Sequence, residues 1–295
     1  MNELFKFIKK IWNPIGNLSR YRFRRIILQL FKYIILIILL LVIVIPIYWV
    51  FSTSLKPASE IQAWPPQWIP QPITLESYRY AFRLLPIGRF FLNSLIVTSV
   101  VIVSNIVTCS IAGYTLARKR FLGRNFIFGL ILSSMMVPLH VRVIPMYLMS
   151  LKLGLENTYP GIFLPIASTG FGIFMMRQFF ITLPGEVMDA ARIDGCGEWG
   201  IVFRIVMPMS KGAVSSLALF ALVWSFEDFL WPLIITSSTN MRPLQVGITL
   251  FLGLVVYEWG PVMATTALTI TPMIIIYILL QRRFIEGITA GAVKG

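Results

Sequence analysis

Histidine occurs once in this chain, at His140, and cysteine twice, at Cys109 and Cys196. A lone imidazole with no ligand cluster beside it makes no metal site, so no metal and no other cofactor is expected. Cys109 falls inside an apolar run and Cys196 inside a polar segment, on different levels of a membrane, and no disulfide is implied. No Ser-His-Asp set, Cys-His pair or inward-facing carboxylate dyad is found, and the phosphate-cradling pattern G-x-x-x-x-G-K followed by Ser or Thr is missing. The chain is therefore expected not to be an enzyme. Energy for any work it does must come from elsewhere.

Charge is scarce as well. Only 13% of the residues are Asp, Glu, Lys or Arg, against 57% hydrophobic, where a soluble domain carries about a quarter charged residues. What fills the chain is a set of long apolar runs, at 33–55, 90–117, 125–151, 157–176, 212–236 and 261–281. Each approaches or exceeds the roughly 20 residues of helix that cross a hydrocarbon core. A soluble core of this size cannot hide them all. The first run begins only at Tyr33, is too long for a signal-peptide core and lacks a small-residue cleavage site behind it, so it is expected to remain in the membrane. The expected fold is an all-α integral membrane protein with six transmembrane helices. Residues 1–32 form a basic N-terminal segment, 33–281 the membrane domain and 282–295 a C-terminal tail.

The 26 Lys and Arg outnumber the 12 Asp and Glu, for a net charge of +14. Their placement follows the rule that short cytoplasmic loops collect basic residues, which leaves no case for a nucleic-acid partner. The N-terminal segment carries Lys6, Lys9, Lys10, Arg20, Arg22, Arg24, Arg25 and Lys32, and the loop after the second run carries Arg118, Lys119, Arg120 and Arg124. Arg192, Arg204 and Lys211, then Arg282, Arg283 and Lys294, fall on the same side. Both termini and residues 183–211 are therefore expected in the cytoplasm, beside anionic inner-leaflet lipid. The expected location is a bacterial or archaeal cytoplasmic (inner) membrane, crossed several times.

The most polar interruption reads "LPGEVMDAARIDGCGEWGIVFRIVMP", residues 183–208. Pro184 suits a helix start, Glu186 and Asp189 complement the positive helix N-terminus, and Asp194-Gly195 supplies a left-handed stop. A second helix is expected over 198–206, with Trp199, Val202, Phe203 and Val206 at spacings of three and four, before Pro208 hands the chain to the next span. Ala190 and Ala191 leave a low-relief patch ringed by Asp189, Arg192 and Asp194. An amphipathic loop lying on lipid would be Lys-rich; this first helix is acidic, and docking to a protein partner fits it better.

These residues carry a resemblance. "DAARIDG" followed by "IVMP" resembles the EAA loop of binding-protein-dependent ABC importers, with Asp189 standing where most members have Glu and Met207 where Leu is commoner. "FLNSLIVT", "AGYTLARKRFLGR", "MMVPLHVRVIPMYL", "NTYPGIFLP", "FEDFLWPL" and the end "GITAGAVKG" are similar to the carbohydrate branch, the maltose-type permeases, over roughly residues 90–295. The resemblance implies a type I ABC importer permease fold, with a second related permease, two cytoplasmic ATPase subunits and an extracytoplasmic sugar-binding protein as partners. It further implies that 186–197 is a coupling helix docked to an ATPase, through Glu186, Asp189, Ala190, Ala191, Asp194, Gly195 and Gly197. It also places the tail, with Gly287, Gly291 and Gly295, between the ATPase subunits.

Glu227 and Asp228 are the ionisable pair deepest in an apolar run, and Trp224, Phe226, Phe229 and Trp231 surround them. Rings that stack on a sugar's apolar faces and carboxylates that accept its hydroxyls make Trp224, Glu227 and Asp228 candidates for the translocation path. An early end of the run beside an interfacial aromatic belt explains them equally well. His140 and Arg142 sit between Pro138 and Pro145, read as an outer helix end in preference to a gating break. Tyr257 and Trp259, in the outer segment 237–260, are candidates for contact with the binding protein, or interfacial anchors.

Two further readings of function stand beside a sugar importer. One is an ABC permease for another solute, such as a glycerol phosphate or a peptide. The other is an ATP-independent secondary transporter, which calls for a midplane ion site and repeated halves that this chain does not display.

Overall fold

The structure, a computed structural model, describes residues 2–254 and 259–292, with side chains over 25–251 and 259–278. Every described element is helical. That follows from the solvent: in hydrocarbon each backbone polar group needs a partner within its own segment, and a helix provides one.

The N-terminal segment and the first apolar run form one helix, Asn2–Ser54. From Ile26 to Ile45 its large apolar side chains are exposed, and it packs along the final helix, Trp259–Ala292. That final helix continues unbroken through the expected tail as far as Ala292.

The centre of the molecule is the helix Ile87–Arg118, packed against Gly170–Ile181 and Lys211–Glu227. Small residues bring these helices close, as membrane packing favours. A Cβ on Gly113 would lie 2.8 Å from Cβ of Met176 and 2.9 Å from the backbone nitrogen of Arg177. One on Gly172 would meet Sγ of Cys109 at 2.7 Å. Cys109, Met176, Phe180 and Leu217 are buried there together with Met188 and Ile201 of the 183–211 loop.

Among the described residues, three helices are individually long and apolar enough to cross a membrane, and the total reaches six if each of three bent pairs is one span. The expected run 125–151 is two helices, Arg124–Met136 and Leu139–Lys152, meeting at 105°. Val137 takes ψ 114° ahead of Pro138, the extended region to which a proline pushes the residue before it. Pro145 sits inside the second helix without ending it. Residues 157–176 fall on Tyr159–Ile166 and Gly170–Ile181, bent by 44°. Buried Asn105 of the central helix stitches that break, its amide donating to the Ile166 carbonyl at 2.7 Å and its oxygen accepting the Thr169 hydroxyl at 3.0 Å. The run 212–236 is Lys211–Glu227, a break at Asp228 and Phe229, then Leu230–Ile235.

At the end of the central helix away from the 183–211 loop, segments distant in sequence are tied through side chains. Asn93, fully buried, donates to the carbonyls of Asn240 and Arg242 at 2.8 and 3.0 Å and accepts the Tyr159 hydroxyl at 2.8 Å. The Trp231 indole donates to the Gly161 carbonyl at 3.0 Å.

Candidate functional site

The polar loop folds as a helix, a glycine stop and a second helix laid across the foot of the next span. The first helix is Gly185–Ile193, with Pro184 one position before it. Gly195 takes φ +78°. The Cys196 N–H then reaches the Ala191 carbonyl at 2.9 Å and the Gly195 N–H the Arg192 carbonyl at 3.0 Å, the paired bonds of a Schellman cap. The second helical stretch, Glu198–Met209, turns by 89° into Lys211–Glu227.

Within that stretch, Ile201–Val206 is wound as a π-helix. Trp199, Val202, Phe203 and Val206 consequently do not form one face. Val202 and Val206 are buried in the core, while the Trp199 and Phe203 rings stack at 6.2 Å on the outside.

Glu186, Asp189, Ala190, Asp194, Gly195 and Gly197 are all exposed. Ala191 is not: it turns inward beside Met188 and Phe180, so the small-residue patch narrows to Ala190. The exposed face also includes Val187 and Ile193, the latter 87% exposed. Neither was singled out from sequence, although 187, 190 and 193–194 recur at the three-to-four spacing of one helix face.

A polar network anchors the loop to the central helix. Glu198 accepts from the Tyr114 hydroxyl at 3.0 Å and from Arg192 Nε at 3.2 Å, and pairs closely with Lys119. Arg192 also donates to the Tyr114 oxygen at 3.1 Å and to Asp189 at 2.6 Å. The hydrogen bond from Lys119 is the main cause holding the Glu198 carboxyl at about 2, against its ordinary 4.5; partial burial opposes it, and Arg192 and Tyr114 reinforce it. Next to this, Arg118 donates to the carbonyls of Phe180, Ile181 and Leu183. It thereby caps the open end of Gly170–Ile181 where the loop begins. Sequence reasoning placed Tyr114 only within a quoted motif, and counted Arg118 and Lys119 only as cytoplasmic-loop charges. Pairing across this distance leaves no local signal.

At the outer end of Lys211–Glu227, Glu227 is the last helical residue and is exposed, and Asp228 is partly buried. Asp228 stands at the helix break, two positions before the short helix Leu230–Ile235. Trp224, half exposed, lies against Phe171 and Phe220 at 5.2 and 5.5 Å.

The remaining candidates are dispersed. Trp259 opens the final helix and lines a 250 Å³ pocket with Gln62, Glu76, Ser77 and Tyr80. Tyr257 and Gly295 lie outside the described residues, and Gly287 and Gly291 belong to the final helix. His140 and Arg142 are exposed just beyond the 105° bend. Among the described residues no cluster of His, Cys, Asp and Glu suits a metal.

Fold and loop together define a polytopic helical transporter subunit with an exposed, rigidly anchored loop at one face. Residues 109–289 match the family described as binding-protein-dependent transport system inner membrane component. The chain is 37% identical to the arabinooligosaccharides transport system permease protein AraQ of Halalkalibacterium halodurans, over 77% of this chain and 81% of that one. To AraQ of Bacillus subtilis it is 35% identical, over 92% and 96%. To the sn-glycerol-3-phosphate transport system permease protein UgpE of Brucella suis it is 31% identical, over 90% and 97%. Its fold superposes with a TM-score of 0.80, at 23% identity and over 88% of this chain and 96% of the other, on a chain of a bacterial ABC transporter involved in the import of the acidic polysaccharide alginate. The chain belongs to the binding-protein-dependent ABC transport permeases. It is a multi-pass inner-membrane component that is not itself catalytic, and this membership sets aside the ATP-independent reading.

Proposed function

We propose that this permease forms half of a translocation path for a sugar or oligosaccharide, alongside a second related permease, and that loop 183–211 couples it to two cytoplasmic ATPase subunits. An extracytoplasmic sugar-binding protein delivers the substrate, with Trp259 and Tyr257 at the delivery side. The observation that carries the reading is the exposed face of Gly185–Ile193. Val187, Ala190 and Ile193, rimmed by Glu186, Asp189, Asp194 and Gly195, face outward from a helix whose Met188 and Ala191 pack into the core and whose Arg192 holds Glu198 and Tyr114. A rigid knob with a small apolar centre and a charged rim suits a cleft in a protein partner. Gly287, Gly291 and Gly295 are assigned to contact with the same ATPase subunits, and Trp224, Glu227 and Asp228 to the path.

Purification from the native membrane tests the assembly: an ATPase and a second permease should accompany the chain, and a purified chain with neither would overturn the reading. The similarity to glycerol-3-phosphate permeases supports a second substrate class, a phosphorylated polyol.

A further inference from the structure

A recess of 340 Å³ lies between Leu244–Leu254 and the final helix, lined by Phe229, Gln245, Thr249, Thr266 and Thr269 with Ile248 and Ile270 at its sides. Its lining follows from helix spacing. Gln245, Ile248 and Thr249 fall at i, i+3 and i+4 on one helix, and Thr266, Thr269 and Ile270 repeat that spacing on the other. Gly247 turns the first helix so that its opposite side meets the Phe90 ring, where a Cβ would come within 2.1 Å. The polar side is therefore left facing the second helix.

We propose that this recess is a ligand-contacting subsite carried by this subunit, built for an uncharged polyhydroxylated ligand rather than a phosphorylated one. The proposal rests on the reading of the chain as half of the translocation path. Thr266 and Thr269 lie roughly 10–15 Å along the helix that starts at Trp259, within the membrane-crossing stretch. The Gln245 amide facing them belongs beside a polar cavity, since lipid offers it no partner.

The hydrogen-bonding chemistry is that of a sugar site. Each threonine commits its proton to its own helix: Thr249 to the Val246 carbonyl, Thr266 to Val262 and Thr269 to Thr265, at 2.8, 2.8 and 2.9 Å. Their remaining lone pairs accept hydroxyl protons. The Gln245 amide, which both donates and accepts, has no partner among the described residues. Phe229, 39% exposed, adds a ring face for the apolar side of a pyranose or furanose. The lining contains no cation, and Phe229 is preceded by two acids, Glu227 and Asp228. A phosphate dianion would meet acceptors and negative charge, with neither a guanidinium nor an ammonium to receive it.

The test uses the assembled complex in detergent, with Thr266→Cys in a Cys196→Ser background and buried Cys109 left in place. A hydrophilic methanethiosulfonate is applied, and modification of this chain is read by intact mass. The recess should react, maltotriose or arabinotriose at millimolar concentration should slow the reaction, and sn-glycerol 3-phosphate should leave it unchanged. Thr249→Cys should behave alike, which guards against one variant failing to assemble. Gln245→Leu should raise the trisaccharide concentration for half-protection about threefold to tenfold, as loss of one neutral hydrogen bond does, and Gln245→Asn should recover part of it. No reaction at either cysteine, no protection by either trisaccharide, or protection by sn-glycerol 3-phosphate would each overturn the proposal. Failure of the importer reading would show separately, as absence of ATPase from the complex before any labelling.

Discussion

The Tyr114 hydroxyl donates to Oε2 of Glu198 across 3.0 Å, joining residues 84 positions apart. One is buried near the Arg118 end of the central helix; the other opens the second half of the loop. The single carboxylate of Glu198 also holds Lys119 and Arg192, so its removal releases three side chains at once. Exposed ion pairs contribute at most about 1 kcal/mol each, whereas a buried hydroxyl left without its partner costs about 1–3 kcal/mol. Glu198→Gln should therefore assemble but raise the ATP hydrolysed per sugar transported in proteoliposomes, and Glu198→Asp should retain most of the coupling. An unchanged ratio in Glu198→Gln would remove the network from the coupling route.

The same carboxylate sets an expectation for pH. Its folded value, about 2, lies below the ordinary 4.5, so its contribution to loop stability is fully present above 4.5 and is lost as pH falls from there towards 2. Hydrogen exchange of the loop amides should be flat with pH between 6 and 8 after correction for intrinsic rates. Added opening should set in only on acidification below about 4.5, and Glu198→Gln should abolish that acid-induced component.

Gly195 occupies the left-handed region at φ +78° with open space where a Cβ would stand. Any penalty for Gly195→Ala is thus conformational, about 1–2 kcal/mol, and Gly195→Asn should be milder. Gly195→Asp adds a charge on the exposed face and should leave the complex in the membrane with its ATPase no longer stimulated by transport substrate. Normal uptake by Gly195→Asp would separate this face from docking.

Gly113 stands at a close crossing of two core helices. Its added Cβ would meet backbone at Arg177 as well as Met176, so the helices must separate. Gly113→Val should lower the melting temperature and yield of the purified complex, while Gly88→Ala, with nothing within 4 Å, should change neither.

Asp228 and Glu227 differ in exposure, and their variants should differ too. Asp228→Ala removes the partly buried carboxylate at the helix break and should lower the transport rate with the complex still assembled. Glu227→Gln, at an exposed helix end, should be mild. Equal uptake by wild type and Asp228→Ala would reduce Asp228 to an interfacial anchor.

Class, loop placement and the glycine stop were legible because each is written locally: apolar length, basic loops, and Asp194-Gly195 after a short helix. Direction was not. Hydropathy counts apolar residues along 125–151 without registering that Val137-Pro138 turns the chain by 105°, and it passes over Asp228-Phe229 because Leu230–Ile235 resumes the apolar run. Ala191 looked equivalent to Ala190 until the packing of Met188 and Ile201 fixed which face was inside. The Tyr114–Glu198 bond joins segments 84 positions apart, and the recess at Gln245 depends on how two consecutive helices are set against each other. Hydropathy along the chain registers neither.

The central helix Ile87–Arg118 is gripped at both ends. Near Arg118 it holds the polar loop, and near Arg89 and Asn93 it holds the carbonyls of Asn240 and Arg242. Its 32 residues make a rod about 48 Å long. A tilt of about 10° pivoting at one end would sweep the other through roughly 8 Å, given that length. Under the coupling proposed above, a push on Ala190 has a stiff lever through which to shift the far end of the helix, with no intervening segment needing to unfold.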